Sequence, residues 1–311
     1  MEIIVPIKQV PETSNVKMDP ETGTMIRAGV ETVVNPLDLY AIETALVLRE
    51  QYGGSVRAIT MGPPPAEKAL REAVAMGCDD GVLVSDRKFG GSDTWATSYT
   101  LAQAIRSLAP YDLIITGERA TDGDTAQVGP GIAAWLDIPL ATYVARVRVQ
   151  SDDDWSGGSG GWGGSDRSDR SGESGGSDRS GGSGESGGSD RSAGSDEHHV
   201  IRVERLVEEG YQRLALPLPA LITVVKEIAS PRLPTLRGKK RARAMEMVTR
   251  SADSLDLESD YLGLKGSPTK VVKIATPKVT RTGTVVSAAD EDSVERAVDQ
   301  LIDFLESREL V

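Results

Sequence analysis

Gly117-Glu118-Arg119-Ala120-Thr121-Asp122-Gly123-Asp124-Thr125-Ala126-Gln127-Val128-Gly129 lies between an apolar run, Tyr111 to Thr116, and the helix-like Ile132-Ala133-Ala134-Trp135-Leu136. The run reads as a buried parallel strand. A strand, a loop of small residues and a helix start together aim backbone N–H groups at an anion. Asp124 or Thr125 is expected to cap the helix, and Gly123 to let backbone approach a phosphate closely. The segment points to nucleotide binding on an α/β sheet.

Upstream, the same alternation repeats. Ile3 to Gln9, Ser55 to Met61 and Gly81 to Ser85 read as strands, separated by amphipathic runs at Leu37 to Gln51, Ala66 to Met76 and Thr94 to Leu108. Leu39, Ile42, Ala45, Leu46 and Leu48 give the first helix one apolar side, and Pro63-Pro64-Pro65 marks the start of the second. Such units predict a mostly parallel sheet covered on both faces. Downstream, Tyr143 to Val149 and Val200 to Glu204 alternate like edge strands, and Pro219 to Val225 reads as another buried strand. Between the alternating pair, residues 151–197 repeat Gly-Gly-Ser and Ser-Asp-Arg, with almost no apolar content to offset the entropy of ordering. The expectation is a disordered insert at a hairpin tip. Ser230 to Arg243 reads as a Pro-punctuated basic stretch. From Leu255 to Ala288 the chain has no obvious core of its own, and Glu291 to Glu306 reads as a closing helix. An α/β domain over 1–254 and an arm with a helix over 255–311, lying on another domain or another subunit, follow from this reading.

Composition removes several function classes. The 311 residues carry a formal net charge of −12, and the insert's eleven acids against four arginines supply about seven of those negatives. Acidity and a 4% aromatic content disfavour nucleic acid and anionic lipid. No apolar run reaches the length of a membrane span, and Met1-Glu2 leads directly into Ile3-Ile4-Val5 without a signal segment, so a cytoplasmic location without membrane insertion is expected. Cys78 is the only cysteine, and the two histidines, His198 and His199, end the insert. Disulfides, Cys-rich metal clusters and a His-based triad are thereby disfavoured. Gly129-Pro130-Gly131-Ile132-Ala133-Ala134 fits a dinucleotide fingerprint only formally, because it falls inside the helix. Redox work, if any, would need a bound cofactor.

Loops at the carboxyl ends of parallel strands share one crevice. Pro6, Ile7 and Lys8 leave the first strand there; Thr60, Met61 and Gly62 leave another. Asn35-Pro36 and Asp93-Thr94 open helices on that side, and Thr94 and Thr97 stand one turn apart on one face. With Ala120, Asp122, Gly123, Asp124, Thr125, Ala126, Gln127 and Val128, these positions form a candidate crevice of N–H groups and hydroxyls. It suits phosphate and polar ring edges.

At this point the chain resembles the β subunits of electron transfer flavoproteins. The shared words are Val5-Pro6-Ile7-Lys8-Gln9-Val10-Pro11, Val34-Asn35-Pro36, Met61-Gly62-Pro63, Ala73-Val74-Ala75-Met76-Gly77 and Asp122 to Gly129. Ser230-Pro231-Arg232 and Leu262-Gly263-Leu264-Lys265-Gly266-Ser267-Pro268-Thr269 complete them; the Gly/Ser insert departs from the pattern. The resemblance implies an adenine-nucleotide α-hydrolase-like fold and a heterodimer with an FAD-holding α subunit. Asp93 to Ser98 and Gly123 to Gly129 match the group in which the crevice holds a second FAD and bifurcates electrons. For that group the resemblance implies hydride from NADH, one electron to the α-subunit flavin and an acyl-CoA dehydrogenase or quinone oxidoreductase, and the other to ferredoxin or flavodoxin. It also implies docking of the dehydrogenase through an apolar anchor, which Leu236 would supply. Two alternatives stand beside it: a non-bifurcating β subunit with structural AMP in the crevice, and a stand-alone ATP-binding stress-type protein.

Overall fold

A computed structural model of the chain describes residues 1–12, 31–149, 200–272, 285–286 and 289–308. The repetitive segment 151–197 and His198-His199 lie outside them. The chain divides into two compact units, Met1–Val271 and Val272–Val311.

In the first unit the described residues form a nine-stranded sheet. In chain order its parts are β1 (Glu2–Pro6), α1 (Pro36–Tyr52), β4 (Ser55–Met61), α2 (Glu67–Met76), β5 (Asp80–Val84), α3 (Thr94–Arg106) and β6 (Leu113–Gly117). α4 (Val128–Leu136), β7 (Leu140–Val149), β8 (Val200–Val207), β9 (Gly210–Pro217), β10 (Ala220–Val224), α5 (Leu236–Ala244) and β11 (Val248–Arg250) follow. A small antiparallel pair, β2 (Gln9–Pro11) with β3 (Thr32–Val34), stands apart, so the expected Ile3 to Gln9 strand is divided. The sheet order is β11-β5-β4-β1-β6-β10-β7-β8-β9, parallel from β11 to β7 and antiparallel through β8 and β9.

Strand residues alternate between two apolar layers. Ile3, Val5, Leu113, Ile115 and Ile222 pack with Ile42, Leu46, Leu70 and Val74 of α1 and α2. Ile4, Ile59, Ile114 and Leu221 pack with Tyr99, Ile105 and Ile132 of α3 and α4. Both faces are therefore dry, as continuous apolar strands require. Leu255 and Leu262 are buried in the second layer, so the chain after residue 254 at first continues against this body, where the sequence offered no obvious core.

One expectation is corrected here. β7 and β8 are not edges, because β10 covers one side and β9 the other. Their alternation reflects a half-wet antiparallel face. The basic stretch, to which the sequence assigned no element, forms α5, with the Thr235 hydroxyl accepting from Gly238 N at 2.9 Å. Gly238 allows this helix to press on α2, since a Cβ there would lie 2.1 Å from the Ala75 carbonyl oxygen.

The second unit contains α6 (Glu291–Glu306), begun by a reciprocal cap in which Ser293 N donates to Asp290 Oδ1 at 2.8 Å and Asp290 N to Ser293 Oγ at 2.9 Å. Val294, Val298, Leu301 and Ile302 recur at helical spacing and all are exposed. None of the helices among the described residues is long and apolar enough to cross a membrane.

Candidate functional site

The carboxyl ends of β1, β4 and β6 meet the starts of α1, α3 and α4. Ile7 N donates to the Ile59 carbonyl at 2.8 Å and Gly62 N to the Val84 carbonyl at 3.0 Å, which fixes the two neighbouring turns. Met61 is half-buried against the second apolar layer. Among the described residues the buried Thr60 hydroxyl has no partner, nor has that of Thr116 on β6. Buried hydroxyls without partners are uncommon in native folds and cluster where function asks for them.

Asn35 organises the loop after β6. Its amide donates to the Arg119 carbonyl at 2.9 Å and accepts from Thr121 N at 3.1 Å. It is fully buried and makes no side-chain cap to α1, so it positions Ala120 and its neighbours. Lys8 reaches over the same loop, donating to Asp122 Oδ1 at 2.7 Å. Asp38, on the first turn of α1, is a site residue that the sequence pattern hides. Its carboxylate accepts from Lys8 N at 2.7 Å, and a Cβ on Gly117 would lie 2.6 Å from its Oδ1. Burial pushes its pKa up to about 7, while hydrogen bonds from Asn35, Lys8 and Gly117 pull the other way.

The helix α4 begins without the expected cap. Gln127 holds the N-cap position but its side chain makes no capping bond to α4; Asp124 instead lies 3.2 Å from Arg119, and its N–H donates to the Ala120 carbonyl at 2.8 Å. Asp124 and Ala126 each take a left-handed φ of 53°, and Gln127 returns to the right-handed region. Ala126 and Gln127, left-handed and then right-handed, have the backbone pattern of a nest, the kind of turn that suits an anion. Among the described residues the N–H groups of Thr125, Ala126 and Gln127 donate to nothing within the chain. A Cβ on Gly123 would meet nothing within 4 Å, so space is open beside the nest.

Across the crevice, the Asp93 carboxylate caps α3 by accepting from Ala96 N at 3.1 Å. Burial raises its pKa, but bonds from Thr269 and Ala96 outweigh that and hold the carboxyl below its ordinary range. The Thr94 hydroxyl donates to Gln127 Oε1 at 2.8 Å, joining the starts of α3 and α4. Thr97, half-buried one turn on, follows it along α3. The structure thus brings Thr94, Gln127, Val128 and the nest together, with Asn35 and Lys8 behind the loop. Cys78 lies apart: burial and then Asp79 push its thiol up to about 12, too high for a nucleophile.

Leu236 is elsewhere, 87% exposed at the start of α5, with Leu233 86% exposed beside it. Arg232 anchors this segment to α1 through bidentate bonds of 2.9–3.1 Å to Glu43 and of 2.5 and 3.1 Å to Glu50. The Arg232 bond holds Glu50 below the usual carboxylate range, so that contribution is present above the ordinary Glu value and fades as pH falls through the folded one. Arg232→Ala strands the nearly buried Glu43 and is expected to cost about 2 kcal/mol, with Arg232→Lys recovering only part because it cannot bind in bidentate fashion. Thermal unfolding of the two variants measures both; equal, unchanged midpoints would refute the anchor.

An electron transfer flavoprotein domain model matches residues 22–156. Over 312 residues, covering all of both chains, this chain is 39% identical to the electron transfer flavoprotein subunit beta of Thermoanaerobacterium thermosaccharolyticum. It is 38% identical to the acryloyl-CoA reductase electron transfer subunit gamma of Anaerotignum propionicum, covering 97% of this chain and 98% of the relative. The caffeyl-CoA reductase-Etf complex subunit CarD of Acetobacterium woodii is 35% identical over the full length of both. A parallel sheet ending in an anion nest, matched end to end by these sequences, makes this chain a member of the electron transfer flavoprotein β-subunit family.

Proposed function

We propose that this chain binds FAD in the crevice at the carboxyl ends of β1, β4 and β6, and works there as the β subunit of a bifurcating electron transfer flavoprotein. The observation that carries the reading is the junction of two groups. Three N–H groups without an acceptor among the described residues, at Thr125, Ala126 and Gln127, suit a pyrophosphate, and the Thr94–Gln127 bond ties them to a hydroxyl-bearing helix start. The open space at Gly123 fits a polar ligand as well. Gly123, Thr125, Ala126, Gln127 and Val128 would hold the phosphates, and Thr94 and Thr97 would offer hydroxyls to the ring. Asn35, Lys8 and Asp122 would keep the loop in place. When bound, FAD would supply acceptance of a hydride from NADH and release of single electrons to two acceptors.

The partners follow from the same reading. The α subunit would take the exposed stripe of α6 and the arm that leads to it. Leu236, held out by Arg232, would anchor an acyl-CoA dehydrogenase or quinone oxidoreductase. Ferredoxin or flavodoxin would receive the low-potential electron. Co-purified with its α subunit, the pair is expected to carry two FAD, both reduced by NADH. One FAD with one AMP would assign the chain to the non-bifurcating kind, and a stable homodimer without flavin would refute the family role altogether.

A further inference from the structure

Asp93 opens the helix that carries Thr94 and Thr97, yet its carboxylate has little left to give a ligand. Oδ1 accepts from Ala96 N at 3.1 Å, the ordinary cap of a helix start. Oδ2 accepts twice from Thr269, at 2.9 Å from its N–H and 2.7 Å from its hydroxyl. The Asp93 N–H donates to Ser267 Oγ at 2.8 Å, and that hydroxyl donates on to the Gly263 carbonyl at 2.7 Å. Backbone and side chain of this one residue are thus both held by a turn far along the chain.

That turn, Leu262 to Thr269, is fixed in its own right. Leu264 N donates to the Gly90 carbonyl at 3.0 Å, and Gly266 N to the Leu262 carbonyl at 2.9 Å. Gly263 bends it with a φ of +58°, where a Cβ would collide with the Lys88 carbonyl oxygen. Just before it, Glu258 N donates to the Tyr99 hydroxyl at 2.8 Å, and the Tyr99 and Tyr261 rings stand 5.1 Å apart. The root of the arm therefore grips α3 at its cap and again at Tyr99. Two residues past Thr269, at Val271, the first unit ends. On the other side of Asp93 stands the crevice. Thr94, the next residue, donates to Gln127 Oε1 at 2.8 Å, so one peptide unit separates the root of the arm from the junction of α3 with α4.

We propose that Asp93 is a positioning residue: through it the root of the arm sets the start of α3 against the ligand in the crevice, so that holding the arm and filling the crevice strengthen each other. The inference rests on the reading that the crevice binds FAD. Its physical ground is a shared group. With Thr269 and Ser267 in place the cap cannot rotate, and Thr94 is presented in one position. With the turn released, Asp93 Oδ2 loses both donors, the cap swings, and the first turn of α3 loosens together with the Thr94–Gln127 bond. A ligand that needs Thr94 in place favours the closed turn, and the closed turn favours the ligand by the same factor. A partner subunit that takes the chain beyond Val271 would act on the crevice by this route.

The test uses the αβ pair, freed of its crevice flavin and titrated with FAD. Thr269→Val keeps the backbone bond and the shape but removes the hydroxyl; it is expected to weaken FAD about threefold, and Ser267→Ala by a similar factor. Asp93→Asn is expected to weaken it about tenfold, because an amide that accepts from Ala96 turns its NH2 toward the Thr269 N–H. Thr269→Ser restores the parent affinity. Lys88→Ala, which cuts the exposed Lys88–Asp253 ion pair beside the turn and leaves Asp93 alone, changes nothing. Hydrogen exchange in the unaltered pair supplies the readout that a merely structural cap would not move. The Thr269 and Leu264 amides, which bond Asp93 and Gly90 rather than the ligand, are expected to exchange about threefold more slowly with FAD bound. Equal exchange with and without FAD, together with parent affinity in Thr269→Val and Ser267→Ala, would overturn the coupling and leave Asp93 a cap. A crevice that takes AMP and not FAD sinks the functional reading instead, and the same titration and exchange with AMP still decide the coupling.

Discussion

Gly129→Val is expected to leave the αβ pair with only the α-subunit flavin. Gly129 is the first full turn of α4, and a Cβ there would lie 2.8 Å from Thr116 Oγ1 and 3.0 Å from Thr223 Cγ2. Neither neighbour can yield easily. Thr116 and Thr223 sit opposite each other in the central strands β6 and β10, and Thr223 Oγ1 is held by the Tyr143 N–H at 3.1 Å. The helix start must therefore lift, carrying Ala126, Gln127 and Val128 with it and breaking the Thr94–Gln127 bond. Overpacking of this kind costs about 1–3 kcal/mol of stability. The larger effect falls on the ligand: two charge-assisted N–H bonds lost amount to about 3 kcal/mol, or roughly a hundredfold in affinity. Gly123→Ala is the matched control, because its Cβ would meet nothing and its backbone is not left-handed. It should melt like the parent. Flavin counted after desalting separates the two variants, and full retention by Gly129→Val would refute the cradle.

Legibility in the sequence follows from where each signal resides. Ser55–Met61 is read with its true ends, because alternation, a preceding Gly53-Gly54 and a following Gly62-Pro63 all agree. Glu291–Glu306 is equally plain, since its apolar stripe is intact even with nothing buried. β9 escapes notice: Tyr211, Gln212 and Arg213 are exposed, and only its pairing with β8 makes it a strand. α5 escapes for a similar reason. A run of Arg and Lys with one buried residue, Ala242, has no stripe, and the helix depends on Gly238 and Thr235 at its contact with α2. At the candidate site, the Gly117 to Gly129 segment was legible because a strand, small residues and a helix follow one another in the chain. The nest was not, because left-handed Asp124 and Ala126 break the local expectation and replace the cap assigned to Asp124 or Thr125. Such strain at a loop beside a crevice costs about 1 kcal/mol or more per residue, and persists only where the surroundings impose it. Arg119 and Asn35 impose it here.

Asp38 answers to pH in a direction opposite to that of the surface acids, and Asp38→Asn is expected to expose this. The carboxyl titrates at about 7 in the fold against an ordinary value of 3.8, so folding takes up a proton between those limits. Its contribution to stability is complete below the ordinary value and is lost as pH rises through 7. A rise of that size corresponds to about 4 kcal/mol between the two ends of the range. Glu50, Asp86 and Asp93, all held below their ordinary values, run the other way and gain over the acid part of the same range. The total curve of the parent therefore hides the effect, and the difference between parent and Asp38→Asn isolates it. At pH 4 the variant should be the weaker of the two, since its amide cannot accept from both Lys8 N and Gly117 without turning an NH2 toward one of them. By pH 8 the gap should close or reverse. Urea unfolding of the αβ pair at matched ionic strength measures it, and a gap that stays constant from pH 4 to pH 8 would show that Asp38 is ionised throughout. Placement at the base of the loop gives the titration a functional side. Lys8, which bonds Asp38 through its N–H and Asp122 through its ammonium, would lie between an acid that gains charge near neutrality and the phosphates above it.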